Sequence, residues 1–374
     1  MSWRRNCLET LVRGASWLSG WGGRRATQPP QSIFVLRNND IGDLLVVTPL
    51  FEALKRTFPA ARIIAGIGRW NFPVLEQNPW VDQVLEINAP WHNKQVCLYP
   101  NNSGRGLAHS MSYILRSPEV ANLARLHCDT GIDVLGSPEG SLLLLRADIP
   151  LRLGVKGYAG GDAAAQKCVT YNPSEHVGRS ALRFAELLGT NTLPECRPQL
   201  FMAETEREAA EQVWRNLRGE NGDKGRRRLV VAPGGGFAEK CWPLDAFAEL
   251  VRQLPAGTGW KVIVVGGPGD KSAGDQLAAG AHGVLNLAGK LNLRQTFALM
   301  AQGDLAVCNS SMVMHVAAAF KKPALVLLGK SFRSAKDHAA QWGYPEQTIL
   351  GREGERQGIA TVDEAMAALK LLAD

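Results

Sequence analysis

Ala232-Pro-Gly-Gly-Gly-Phe-Ala-Glu-Lys-Cys-Trp-Pro243 decides the reading of this chain. The apolar run Leu229-Val-Val-Ala232 before it has the character of a buried strand. It empties into Gly234, Gly235 and Gly236, which let a backbone turn sharply and approach a ligand with no side chain between. Lys240 follows, and Trp242-Pro243-Leu-Asp-Ala-Phe-Ala-Glu-Leu opens a helix with Pro243 near a position where a missing N–H costs nothing. Strand, glycine turn and helix N-terminus together form an anion site, with free N–H groups and a positive dipole end aimed at one spot. Lys240 would add a point charge to a phosphate held there. An ordinary strand-to-helix turn, eased by its glycines, is the competing reading of the same residues.

The rest of the chain sets bounds. At 374 residues, 45% of them hydrophobic, it is long enough for two domains with full cores. Its seven cysteines are scattered, odd in number and never spaced C-x-x-C. That pattern points to a reducing compartment and away from a disulfide framework or structural zinc. No histidine pair has metal-ligand spacing, so no bound metal is expected. The formal charge of +7 suits an anionic ligand or membrane surface. Nucleic acid is not expected as a partner, since no basic run is interleaved with aromatics.

Residues 1–30 read as a separate basic extension. Arg4, Arg5, Arg13, Arg24 and Arg25 oppose only Glu9, while Cys7, Leu8, Leu11, Val12, Ala15 and Leu18 fall on one face of a helix. No apolar run is long enough to span a bilayer, and the Arg- and Trp-bearing composition fits a helix lying in a membrane interface or a frayed terminus. A signal peptide is not expected, because Arg13 interrupts the apolar stretch.

From Ser32 onward strands and helices alternate. Strands are predicted at Ile33–Leu36, Arg62–Ala65, Gln83–Ile87 and Gly131–Leu135, with helices over Asp43–Phe58, Ser141–Arg146 and Ser180–Leu188; Ala89–Leu126 has no clear period. The second half gives strands at Leu229–Ala232, Lys261–Val265, Val284–Leu287, Leu305–Val307 and Ala324–Leu328. Its helices are expected at Leu244–Gln253, Asp270–Ala279, Leu293–Ala301, Met312–Phe320 and Thr361–Leu372. The pattern is α/β, with parallel sheets carrying helices on both faces. The expected division is an extension over 1–30, one Rossmann-like domain over 31–195, a second over 196–350 and a terminal helical segment over 351–374. Sheets of this kind bind ligands outside the carboxyl ends of their strands, and two in tandem are expected to share a cleft.

Several signatures fail. Gly66-Ile-Gly68 has no third glycine at Asn71, and Gly329-Lys-Ser331 lacks the opening glycine of a P-loop because Ala324 stands there. No G-x-S-x-G is present. What remains is spaced along the chain. Arg37-Asn-Asn-Asp-Ile-Gly-Asp43 closes the first strand, and Asp43 suits either a general base toward a hydroxyl or a helix cap. Cys308-Asn-Ser-Ser-Met-Val-Met-His315 joins a later strand to a helix, with hydroxyls and amides suited to a sugar or phosphate.

Taken together, these segments resemble glycosyltransferase family 9, the ADP-heptose:lipopolysaccharide heptosyltransferases. The resemblance runs from about Ile33 to Gly329 and is carried by Arg37, Gly42-Asp43, Thr48-Pro49, Phe58-Pro59 and Asn78-Pro79-Trp-Val-Asp82. In the second half it is carried by Pro233-Gly234, Lys240-Cys-Trp242-Pro243, Val264-Val-Gly-Gly267, Asn286-Leu-Ala-Gly289 and Met314-His315-Val-Ala-Ala318. The resemblance implies a GT-B architecture, two Rossmann-like domains around a cleft, and inverting transfer from a nucleotide-diphospho-sugar, ADP-heptose, without a metal or other cofactor. It implies Asp43 as the base, and Lys240 with the Gly234–Gly236 backbone as the groups that offset charge on the departing diphosphate. Trp242, Asn309, Ser310, Ser311 and His315 are carried over as donor-binding, and Arg37, Gly42 and Thr48 as acceptor-side.

One departure stands out: the family reads Asn-Asp-Ser/Thr-Gly-x-x-His where this chain has Asn309-Ser310-Ser311-Met312-Val-Met-His315. Three functions remain in play: an active sugar transferase, a family member that binds nucleotide or glycan without transfer, and a nucleotide-sugar epimerase on a similar scaffold. The expected partners are a nucleotide-sugar donor and a lipid-linked glycan acceptor. The expected place is the cytoplasm, peripheral to the inner face of the inner membrane.

Overall fold

The computed structural model describes residues 3–19, 26, 28–101, 103–217, 227–254, 260–279, 281, 283–353 and 358–373. Arg24 and Arg25, and the side chains of Arg4, Arg5, Cys7 and Leu18, lie outside that description. The chain forms two units, Met1–Cys196 and Arg197–Asp374.

In the first unit the strands are β1 (Ser32–Leu36), β2 (Arg62–Ile67), β3 (Gln83–Glu86), β4 (Thr130–Asp133), β5 (Leu151–Lys156) and β6 (Lys167–Thr170). They form one parallel sheet in the order β3-β2-β1-β4-β5-β6. β1 is buried along its whole length, which explains why Ile-Phe-Val-Leu shows no alternation. In register, Leu36 lies between Gly66 of β2 and Asp133 of β4.

The helix expected over Asp43–Phe58 is divided into Ile41–Leu45 and Pro49–Thr57. Pro49 has no N–H to give the Leu45 carbonyl. The Thr48 hydroxyl donates to that carbonyl instead, at 2.7 Å. Two helices, Gly104–Arg116 and Pro118–Arg125, occupy the later part of the stretch that showed no period.

The N-terminal helix forms, over Trp3–Ser19, but its apolar residues do not share a face toward solvent. Leu8 and Val12 are buried with Ala163, Ala164, Leu107, Met111, Leu142 and Leu145, so two of the six residues of the supposed membrane face belong to the core of this unit. Leu11 and Trp17 point outward, 71% and 65% exposed. Arg13 pairs with Asp162 at 2.6 Å.

The second unit repeats the winding. Its strands are β7 (Arg227–Ala232), β8 (Trp260–Val264), β9 (Val284–Asn286), β10 (Leu305–Asn309), β11 (Ala324–Leu327) and β12 (Gln347–Leu350), all parallel, in the order β12-β11-β10-β7-β8-β9. Read from the other edge, this is the order of the first sheet. One face is covered by helices Leu244–Arg252 and Val362–Ala373, whose Phe247, Leu250, Val251, Ala365 and Leu369 close over Leu229, Val231, Val262 and Leu325. Arg197, the first residue of this unit, is buried and holds the Ala318 carbonyl and both oxygens of Glu346 at 2.7–2.9 Å. The six described cysteines are all free thiols.

Candidate active site

Each sheet reverses its winding beside its first strand, between β1 and β4 in one unit and between β7 and β10 in the other. A crevice opens at such a point because the two following helices leave on opposite faces. The residues singled out from sequence gather at these two reversals.

At the first, the chain leaves β1 through Arg37 and turns into helix Ile41–Leu45. Arg37 is buried, and its guanidinium donates from Nε to the Asp43 carbonyl at 3.1 Å and from an Nη to Asp43 Oδ1 at 3.3 Å. Asp43 keeps 32% of its side chain exposed, enough to meet a ligand. Burial around the carboxyl raises its pKa above the ordinary carboxylate range, Arg37 pulls it back, and Asp40 adds to the rise. The result is a better base than a solvated aspartate, held in one orientation by a planar cation. Gly42 lies within the same short helix, partly exposed. Thr48 is different. It is fully buried, and its hydroxyl serves the helix break, so it does not face an acceptor.

Asp133 ends β4, two residues before the strand end expected at Leu135, and no role is expected of it from sequence. It is buried, and one oxygen accepts from the Ser137 N–H at 2.8 Å. Burial raises its carboxyl pKa to about 6, while the backbone N–H groups of residues 135–137 and Arg37 oppose the rise. Arg37 therefore serves two carboxyls at the first reversal.

At the second reversal, the glycine turn leaves β7 and passes a short helical turn, Ala238–Lys240, before helix Leu244–Arg252. Asn309, at the end of neighbouring β10, binds the turn to the sheet. Its Nδ2 donates to the Pro233 carbonyl at 2.6 Å and more weakly to that of Gly234 at 3.3 Å, and its Oδ1 accepts from the Trp242 N–H at 2.8 Å. Asn309 is 1% exposed and its amide is spent on this staple, so it shapes the turn and leaves the ligand to others. Gly235 is required for close approach, because a Cβ there would lie 2.6 Å from the Cys241 sulfur. Gly236 is exposed.

Lys240 is exposed, its ammonium 5.3 Å from the centre of the Phe237 ring. No carboxylate pairs with it among the described residues, which leaves its charge available to an anion. Asp270, another residue without a sequence-based role, sits against Gly234 and accepts from the Gly267 N–H at 2.8 Å. The turn is thus bordered by a carboxylate suited to hydroxyls as well as by a cation suited to phosphate.

The donor contacts expected of two further side chains are not available in this geometry. The Trp242 indole is 1% exposed, donates to the Ala360 carbonyl at 2.8 Å and packs edge-on against Phe247; it is a core residue. His315 is buried on helix Met312–Ala319, with Nδ1 3.1 Å from the Tyr344 hydroxyl and Trp342 beside it. Ser310 and Ser311 are partly exposed at the start of that helix, and the Ser311 hydroxyl is enclosed without a hydrogen-bond partner.

Among the described residues, no three His, Cys, Asp or Glu side chains are grouped to hold a metal ion. The family model described as "Glycosyltransferase family 9 (heptosyltransferase)" matches residues 121–345. The chain belongs to glycosyltransferase family 9. It is a glycosyltransferase of the α/β GT-B fold. Among similar proteins, lipopolysaccharide heptosyltransferase 3 of Escherichia coli (strain K12) is 26% identical over 335 residues, 86% of this chain and 88% of that one. Lipopolysaccharide heptosyltransferase 2 of Salmonella typhimurium is 26% identical over 319 residues, 80% of this chain and 83% of that one. Two solved structures share the fold. A family 9 glycosyltransferase from Veillonella parvula superposes with a TM-score of 0.72 at 19% identity, covering 91% of this chain and 97% of that one. The ADP-heptose lipopolysaccharide heptosyltransferase II of E. coli gives 0.69 at 22% identity, covering 91% and 98%.

Proposed function

We propose that this glycosyltransferase moves heptose from ADP-heptose to a hydroxyl of the lipopolysaccharide core, with inversion at the anomeric carbon. The observation within the chain that carries the reading is Asp43, a carboxylate of raised pKa fixed by Arg37 at the carboxyl edge of the first sheet. As the acceptor oxygen bonds to the anomeric carbon, the bond from that carbon to the β-phosphate oxygen breaks and its electron pair leaves with ADP. The acceptor proton passes to Asp43 late, once the hydroxyl has become acidic. Charge growing on the diphosphate is met by Lys240 and the N–H groups of the Gly234–Gly236 turn, with no metal assigned. Asp270 and the hydroxyl of Ser310 supply acceptors and a donor for the sugar and ribose.

Peripheral work on the cytoplasmic face of the inner membrane belongs to the same proposal. It is supported by the net charge of +7 and by the outward Leu11 and Trp17. Among the described residues, no helix is long and apolar enough to cross a membrane. A second reading, binding without transfer, draws on Ser310 and Met312 at positions where the family reads Asp and Gly. The two separate in one experiment. ADP release is followed from ADP-heptose in the presence of heptose-deficient lipopolysaccharide, for the native protein and Asp43→Ala. Release that depends on acceptor and disappears in the variant supports transfer; nucleotide binding with no release in either protein sinks it.

A further inference from the structure

His338 lies on helix Ala335–Trp342, next to the candidate diphosphate site of the second unit. The loop before that helix is tied to the Lys240 turn by two backbone bonds, Gly329 N–H to the Lys240 carbonyl and Ser331 N–H to the Glu239 carbonyl, each 3.1 Å. His338 is 8% exposed and packs edge-on against Phe332, with ring centres 4.7 Å apart. Its Nε2 is enclosed and has no hydrogen-bond partner among the described residues. An enclosed ring nitrogen without a partner costs free energy and calls for an explanation.

The charged groups around it give one. Lys240 is close enough to act on the imidazole, and burial together with its ammonium pushes the His338 pKa down to about 4. Lys330 and Arg333 on the connecting loop and Lys336 on the helix are exposed cations. Asp337 is exposed on the same helix, and the Glu353 carboxylate is engaged at the helix start by the Lys336 N–H at 2.9 Å. Arg352 gives its carbonyl to the Ala335 N–H at 2.8 Å. Of all these groups, Lys240 is the one that shifts His338. The free protein therefore holds a neutral imidazole, disfavoured as a cation first by burial and then by Lys240; an anion beside Lys240 cancels the second cause, and its own charge favours the imidazolium against the first.

We propose that His338 is a proton-linked part of the diphosphate site: a nucleoside diphosphate binding beside Lys240 makes His338 take up a proton from solvent, and the imidazolium becomes a second cation beside the anion. This rests on the anion role given to Lys240 above. It makes nucleotide affinity rise as pH falls, and it ties product release to proton loss. It also gives a use to a buried histidine on the helix that follows the Gly329–Ser331 loop.

Calorimetric titration of the full chain with ADP, GDP, UDP and CDP, at pH 6 in buffers of different ionisation enthalpy, counts the protons exchanged. The nucleotide's own phosphate titrates near this pH and contributes equally to wild type and His338→Gln, so their difference isolates the imidazole. The expected excess in wild type is about 0.5 proton or more per bound nucleotide, with affinity rising about twofold or more between pH 8 and 6 relative to the variant. Should the variant fold poorly, the His338 Cε1–H resonance of the native protein, titrated with and without nucleotide, reads the same event. Binding with equal proton counts, or a resonance whose midpoint does not move, overturns the role of His338 and leaves the anion site standing. If none of the four nucleotides binds, the anion site falls, and this inference with it.

Discussion

Replacing Asn309 by alanine tests the staple that shapes the glycine turn. The side chain makes two strong buried bonds, at 2.6 Å to the Pro233 carbonyl and 2.8 Å from the Trp242 N–H, and one long bond to the partly exposed Gly234. Alanine leaves the first carbonyl and the N–H without a partner. Each buried group left unsatisfied costs about 1–3 kcal/mol. The two together give about 2–4 kcal/mol once some relief by water at the exposed end of the turn is allowed. For a unit of this size that lowers the melting temperature by roughly 5–15 °C. Asn309→Asp keeps the acceptor for Trp242 but sets an oxygen against the Pro233 carbonyl, so it is expected to melt no higher than the alanine variant. Thermal unfolding followed by near-ultraviolet dichroism measures the first effect, and ADP affinity measures the loosening of the turn. A loss below about 0.5 kcal/mol, with nucleotide affinity unchanged, would refute the claim that Asn309 organises this site.

Four further outcomes are expected. Asp43→Asn lowers kcat by about 10²–10⁴-fold, and because the native carboxyl has a raised pKa, the native rate falls off at a higher pH on the acid side than an ordinary aspartate would give; rate–pH profiles check both. Asp133 has a folded pKa of about 6, above its unfolded value, so the native state holds more protons between the two and the buried charge lowers stability as pH rises through that window. Asp133→Asn should gain on the native protein by up to about 2–3 kcal/mol from pH 4 to 7 in denaturant titrations, and a difference independent of pH contradicts the assignment. Trp242→Ala should cost about 3–5 kcal/mol while Trp242→Phe leaves nucleotide affinity nearly intact; affinity lost without loss of stability would return the indole to the ligand site. The double change Leu11→Ser with Trp17→Ser should weaken sedimentation with anionic vesicles at an unchanged melting temperature, and unaltered sedimentation rules out the membrane role. Deleting the whole helix is a poorer test, because Leu8 and Val12 belong to the core.

The central strands could be read from sequence because burial on both faces forces continuous Ile, Val and Leu runs, as in β1, β7 and β10. Two edge strands could not, although the edges β3 and β9 could: β6 reads Lys-Cys-Val-Thr with one buried residue, and every residue of β12 is half-buried. Helix Gly104–Arg116 buries Gly106, Ser110 and Ile114, so two of its three inward positions carry no apolar signal. At the site, residue types placed Asp43, Lys240 and the glycine turn at the ends of the right strands. They did not separate the side chains spent inside the fold. Asn309, Thr48, Trp242 and His315 all carry ligand-capable groups, and only their hydrogen bonds and burial show the inward use. Asp133, Asp270 and His338 went unnoticed for the opposite reason, since a lone acid or histidine has no distinguishing neighbours in the chain and acquires them through β-strand register and loop packing.

The grip of Arg197 on Ala318 and Glu346 bears on how this polypeptide can be cut. A fragment begun a few residues downstream would keep every strand of the rear sheet yet forfeit the clasp that pins its leading end, stranding Glu346 and a carbonyl of the His315 helix. The workable severing point therefore lies ahead of that arginine, and a hybrid that borrows the rear unit has to carry it along.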